Sequence, residues 1–153
     1  MTEKFSEYTF DEIKIGQSKK FQITITESMV NDFAKISGDF SPIHMDEIYA
    51  KSTSFKKRVV HGMLLASFLS RVDGMYLPWK HALYFSQNIE FRNPCFIDDE
   101  LTIESKVIDK SISTKILKIE SKIMNQENKI LLYGIGRVIV RDDWKFWYRY
   151  RFM

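Results

Sequence analysis

The sequence predicts an α+β domain in which an antiparallel β-sheet wraps around one long buried helix. Two observations carry this. Val59 to Tyr76 is apolar around most of a helical circumference, as a helix enclosed by other elements must be. Four runs of alternating polarity follow it, each bounded by polar or turn-forming residues.

The elements can be justified in order. Lys20 to Thr26 alternates as Phe, Gln, Ile, Thr, Ile, Thr, a strand pattern. Thr26 or Ser28 can cap a helix running to about Ile36, with Val30, Phe33, Ala34 and Ser37 on one face. Gly38 and Asp39 stop that helix, Pro42 resets the chain, and a polar irregular stretch runs to Arg58. In the main helix, Gly62, Ala66 and Ser70 stack as a small-residue stripe that something approaches closely, and Gly74 and Pro78 end it. The strands are Ala82 to Phe91, a run through Leu101, Ile103 and Val107, a run through Leu117, Ile119 and Ile123, and Ile130 to Val140. Asn125 to Lys129 is the hairpin turn between the last two. The last strand is apolar on both faces, which suits a central position. Its Gly134 and Gly136 leave one face bare.

Length and composition bound the function. A chain of 153 residues without repeats or a linker favours one domain. With 44% hydrophobic and 28% charged residues, disorder, collagen and coiled coil are excluded. A net charge of +3 gives no argument for nucleic acid. The lone Cys95 excludes an internal disulfide and a multi-cysteine metal site. Met1 to Phe10 has no apolar signal core, and Val59 to Leu69 is too short for a transmembrane segment, so a cytoplasmic protein is expected.

The chemistry lies in Phe33 to Ser70. Asp39 and His44 sit five residues apart in a loop stiffened by Pro42, so a carboxylate and an imidazole can share one water and exchange protons with it. His61-Gly62 opens the buried helix, whose first N–H groups are unpaired and carry partial positive charge. An N–H there can hold a developing oxyanion, and glycine permits close approach. The spacing alone is equally that of structural residues: Asp39 as a turn residue, His61 as a helix cap, Asp46 capping the turn toward Ala50.

Taken together, SGDFSPIHMDEIYA and VVHGMLLAS are more specific. They resemble the MaoC-like dehydratase family, which includes the (R)-specific enoyl-CoA hydratases, over about Lys20 to Val140. The resemblance implies a hot-dog fold, a curved antiparallel sheet around a long helix, assembled as a homodimer or higher homo-oligomer. It implies reversible syn hydration of a trans-2-enoyl thioester to the (R)-3-hydroxyacyl thioester, carried on CoA or acyl carrier protein, with no cofactor and no metal. By position, Asp39 and His44 are the catalytic pair, Gly62 holds the thioester carbonyl, and Ser41, Ser70 and His61 line the site. The family's usual Asn before Pro is Ser41 here, which keeps a hydrogen-bonding group on a shorter reach. Two alternatives belong beside this reading: a hot-dog acyl thioesterase, and a non-catalytic acyl-binding dimer partner. Thioesterases of this fold typically carry their carboxylate on the long helix, where this chain has only Asp73.

The sequence divides into a domain over 1–141 and an extension over 142–153. In the extension, aromatics at even positions from Trp144 to Phe152 alternate with Lys145, Arg149 and Arg151, with Trp147 the exception. This reads as an extra strand or arm with an aromatic face and a basic face.

Overall fold

The computed structural model of the protein describes residues 8–78 and 80–141; the extension read as a strand or arm lies outside them. The chain forms β1 (Ser18–Thr24), α1 (Glu27–Ser37), α2 (Pro42–Met45), α3 (Glu47–Ser52), α4 (Gly62–Met75), β2 (Ala82–Phe91), β3 (Glu100–Ser111), β4 (Ile116–Met124) and β5 (Ile130–Val140).

Alternation decides the sheet. β3 buries Leu101, Ile103, Ser105 and Val107, and β4 buries Leu117, Ile119, Ser121 and Ile123. The two serines face each other within the core and satisfy one another, Oγ to Oγ at 2.7 Å. All pairings are antiparallel, in the order β1-β3-β4-β5-β2. β5 therefore lies inside the sheet, as its two apolar faces require, and β2 is an edge. α4 packs against β2, β3 and β5, strands from both halves of the sheet.

The bare face of β5 is filled by its neighbour. A Cβ on Gly136 would meet Gln87 Oε1 at 2.6 Å, and one on Gly134 would meet the Asn88 carbonyl at 2.6 Å and Gln87 Nε2 at 2.8 Å. The side chain of Gln87 lies flat across both glycines.

α1 begins and ends as the sequence indicates. The Met29 N–H donates to Thr26 Oγ1, and Gly38 closes the helix at φ 77°, a left-handed conformation that suits glycine. α4 differs in two ways. It starts at Gly62, three residues later than its apolar pattern, because Val59 and Val60 are held extended. Their N–H groups donate to the carbonyls of Ile43 and Cys95, and Val59 bridges Phe96. A three-residue error is less than one turn and leaves the period unchanged. Nor is α4 enclosed on every side: Leu64, Leu65, Leu69 and Val72 are buried, but Met63, Ser67, Ser70 and Gly74 form an exposed stripe. Two short helices occupy what the sequence presents as irregular chain. The second is capped by Asp46, whose Oδ1 accepts from the N–H groups of Ile48 and Tyr49.

Two carboxyl groups are buried among the described residues, Asp99 and Asp73. Asp73, in the last turn of α4, is only 5% exposed. Burial pushes its carboxyl up to about 7, against a smaller opposing effect of its hydrogen bond with Tyr84. A carboxyl raised in the folded state holds its proton there while the unfolded chain has lost it. Its contribution to stability is therefore present at low pH and falls as pH rises from about 4 to about 7. Asp73→Asn should consequently raise the melting temperature at pH 8.5, and the gain should shrink as pH falls and vanish below about pH 4. An equal gain at both pH values would show that ionisation of Asp73 is not the cause.

Candidate active site

The site is assembled from a loop and the start of α4. After Gly38 the chain turns through Asp39, whose N–H donates to Ser37 Oγ and whose Oδ1 accepts from the Ser41 N–H at 3.1 Å. Pro42 then opens α2, the single turn that carries His44. Arg58, with a side chain 11% exposed, fastens this loop to α1. Its Nε donates to the His44 carbonyl at 2.6 Å, and its fork reaches Asn31 Oδ1 and the Glu27 carboxylate.

The imidazoles have defined tautomers. His44 Nδ1 lies 2.6 Å from the Val59 carbonyl, which can only accept, so Nδ1 carries the hydrogen and Nε2 presents a lone pair. That Nε2 is 4.0 Å from Asp39 Oδ2. His61 Nε2 lies 2.9 Å from the Asp39 carbonyl and, by the same reasoning, donates to it. The His61 ring is 2% exposed and stacks on His44 at 4.0 Å between centroids, with Phe33 on another side at 5.1 Å. His61 thus occupies the position of a helix cap but makes no side-chain capping bond to α4. It holds the Asp39 backbone instead.

A cavity of about 460 Å³ brings His44 together with Gly62, Val59, Val60, Phe91 and Cys95. The Gly62 N–H begins α4, before the helix's own hydrogen-bond ladder. Glycine gives the Phe91 ring room there: a Cβ would meet it at 2.9 Å, the close approach to the small-residue stripe. Cys95 is no nucleophile: burial, reinforced by the nearby Asp99 carboxylate, pushes its thiol well above its ordinary range. Asp39 stands half exposed at the edge of this arrangement. Ser70 is placed elsewhere, two turns along α4, in a second cavity of about 370 Å³ shared with Phe33, Met63 and Tyr84.

The family model described as a MaoC like domain matches residues 11–128. This chain belongs to the MaoC-like family. It is 34% identical over 122 residues to an (R)-specific enoyl-CoA hydratase of Aeromonas caviae, covering 80% of this chain and 91% of that protein. It is 45% identical over 93 residues to an (R)-specific enoyl-CoA hydratase of Rhodospirillum rubrum, 61% of this chain and 65% of that one. The solved structure of the A. caviae (R)-hydratase involved in PHA biosynthesis superposes with a TM-score of 0.82 at 32% identity, over 84% of this chain and 98% of that chain. The sheet and helix are those of the hot-dog fold.

Within this MaoC-like frame, Ser41 contributes its backbone: its N–H goes to Asp39, and its carbonyl accepts from the N–H groups of His44 and Met45. Its side chain makes no capping bond to α2. Asp39, His44 and His61 offer ligand atoms within 4.8 Å of one another, a grouping that resembles a metal site. Because His61 Nε2 spends its hydrogen on the Asp39 carbonyl, only Asp39 and His44 keep a lone pair for the shared space. The residues that sequence reasoning missed are Arg58 and the Val59 carbonyl. Neither carries a pattern; both act through bonds that close only in three dimensions.

Arg58→Met should lower the unfolding free energy by about 2 kcal/mol, the scale of lost hydrogen bonds to a charged group. Arg58→Lys should recover only part of it, for want of a fork. Urea denaturation of the two variants and the parent decides this; a Met variant as stable as the parent would show that Arg58 does not hold the loop.

Proposed function

We propose that this protein is a hydro-lyase that interconverts a trans-2-enoyl thioester and the (R)-3-hydroxyacyl thioester, with Asp39 and His44 as its catalytic pair. The supporting observation is the meeting of three groups: the unprotonated His44 Nε2, the Asp39 carboxylate 4.0 Å away, and the N–H of Gly62 on the wall of the cavity that His44 lines. A gap of 4.0 Å exceeds direct hydrogen-bond reach and suits one water touching both groups. The hydratase and dehydratase relatives support the reaction type.

The mechanism follows from these roles. His44 Nε2 takes a proton from the water as its oxygen bonds to C3. The π electrons of the C2–C3 bond move toward the thioester, whose oxygen gains negative charge. The Gly62 N–H, at the positive end of α4, stabilises that oxygen. The pair then returns a proton to C2 on the same face, so addition is syn and no net proton is consumed. Reversal is dehydration. His61 keeps Asp39 in place through its backbone. The thioester rides on CoA or a carrier protein, and we read the enzyme as a cytoplasmic homodimer or larger assembly, with edge strand β2 and the exposed stripe of α4 available to a second copy.

A thioesterase would need a carboxylate on α4 facing the thioester. Asp73 is buried, bonded to Tyr84, and absent from the cavity that His44 and Gly62 share. A non-catalytic acyl-binding partner would have no need of both Asp39 and His44.

Purified protein incubated with crotonyl-CoA should deplete the ultraviolet absorbance of the conjugated thioester without releasing free thiol. Asp39→Asn and His44→Ala should each lower kcat by about 100- to 10,000-fold, the range of general acid–base catalysis, while remaining folded. Absence of hydration with enoyl thioesters of several chain lengths on both carriers would sink the reading, and thiol release at a comparable rate would favour the thioesterase. Full activity in either variant would remove that residue from the mechanism.

A further inference from the structure

The second cavity ends in a hydrogen-bonded chain that the mechanism does not use. It is lined by Phe33, Met63, Ala66 and Ile89 on its apolar side and by Tyr84 and Gln87 on its polar side, with Ser67 and Ser70 on the helix. Met63 also lines the cavity of His44 and Gly62, and Phe33 touches the His61 ring, so the two spaces adjoin at the reacting centre. From Gly62 to Ser70 is about 12 Å along the axis of α4.

The polar side has a fixed polarity. Gln87 Nε2 donates to the Asn88 carbonyl at 2.9 Å, which settles the orientation of the amide, and Gln87 Oε1 accepts from the Tyr84 hydroxyl at 2.6 Å. Tyr84 has one hydrogen, and it is spent on Gln87. Gly134 and Gly136 leave room for the Gln87 amide to lie flat. After these bonds Gln87 Nε2 keeps one hydrogen, and Tyr84 Oη keeps a lone pair. Two interlocked polar side chains and two bare glycines are an elaborate end for a pocket meant only for hydrocarbon.

We propose that this cavity receives the distal end of the acyl group and selects one that carries a hydrogen-bonding group, a hydroxyl for instance, which Tyr84 and Gln87 bind. The inference rests on the hydratase reading for the direction in which the acyl chain runs. A plain alkyl end desolvates both groups and returns no hydrogen bond, which is why selectivity follows.

Binding calorimetry with two saturated, unreactive ligands, hexanoyl-CoA and ω-hydroxyhexanoyl-CoA, tests this apart from turnover. The hydroxylated ligand should bind about tenfold more tightly, the factor that 1.4 kcal/mol supplies. The ratio should fall to within about twofold in Tyr84→Phe and in Gln87→Met. Equal or weaker binding of the hydroxylated ligand, a ratio that survives both substitutions, an equal loss of affinity for both ligands, or no binding of either overturns the proposal. Failure to hydrate enoyl thioesters of several chain lengths on both carriers would sink the hydratase reading alone, since the binding ratio is measured without chemistry.

Discussion

The 2.6 Å hydrogen bond from His44 Nδ1 to the Val59 carbonyl joins two stretches of chain that no local pattern connects. It fixes the imidazole tautomer and aims Nε2 at Asp39. It also requires Val59 to be extended, with its carbonyl turned toward the loop and out of any helix. The start of α4 is thereby set at Gly62, and the free N–H of that residue is brought to the wall of the space that His44 faces. Were α4 to continue backward through Val60 and Val59, His44 would lose its partner and the Gly62 N–H would be consumed within the helix.

Much of this was legible in the sequence, and the boundary of legibility is physical. The strands and the two longer helices announce themselves because burial of one face imposes a period of 2 or 3.6. The ends of α1 are equally visible, since Thr26 and Gly38 act locally. Asp39, His44 and Gly62 could be named from residue type and spacing, and Asp46 as a cap. Residues that act across the fold were hidden. Arg58 stood only at the end of a polar irregular stretch, and His61 looked like a cap, because what distinguishes them is the carbonyl each reaches: His44 for one, Asp39 for the other. Ser70 shows the converse: its spacing from Gly62 put it on the right helix face, yet two turns of rise place it in a different cavity.

Gly134 and Gly136 make a related point. In sequence they weaken a strand that is otherwise strongly β-forming. In the fold they answer Gln87, their cross-strand neighbour, whose amide occupies the room that side chains would take. The local cost in β5 is a condition for the ordered polar chain on β2, so neither feature is intelligible without the other.

The two ends of α4 then carry opposite electrostatic tasks. Its N-terminus has unpaired N–H groups and partial positive charge, and there the chain places glycine and space for a ligand oxygen. Its C-terminus has partial negative charge and no basic residue in the last turn, and there the chain places Asp73. A carboxylate at that end would face both the dipole and the desolvation of the core. A protonated carboxyl faces neither. Burial raises the Asp73 carboxyl to about 7. One helix thus meets opposite demands at its two ends: a backbone N–H where negative charge develops, and a carboxyl that holds its proton more tightly where charge would be costly.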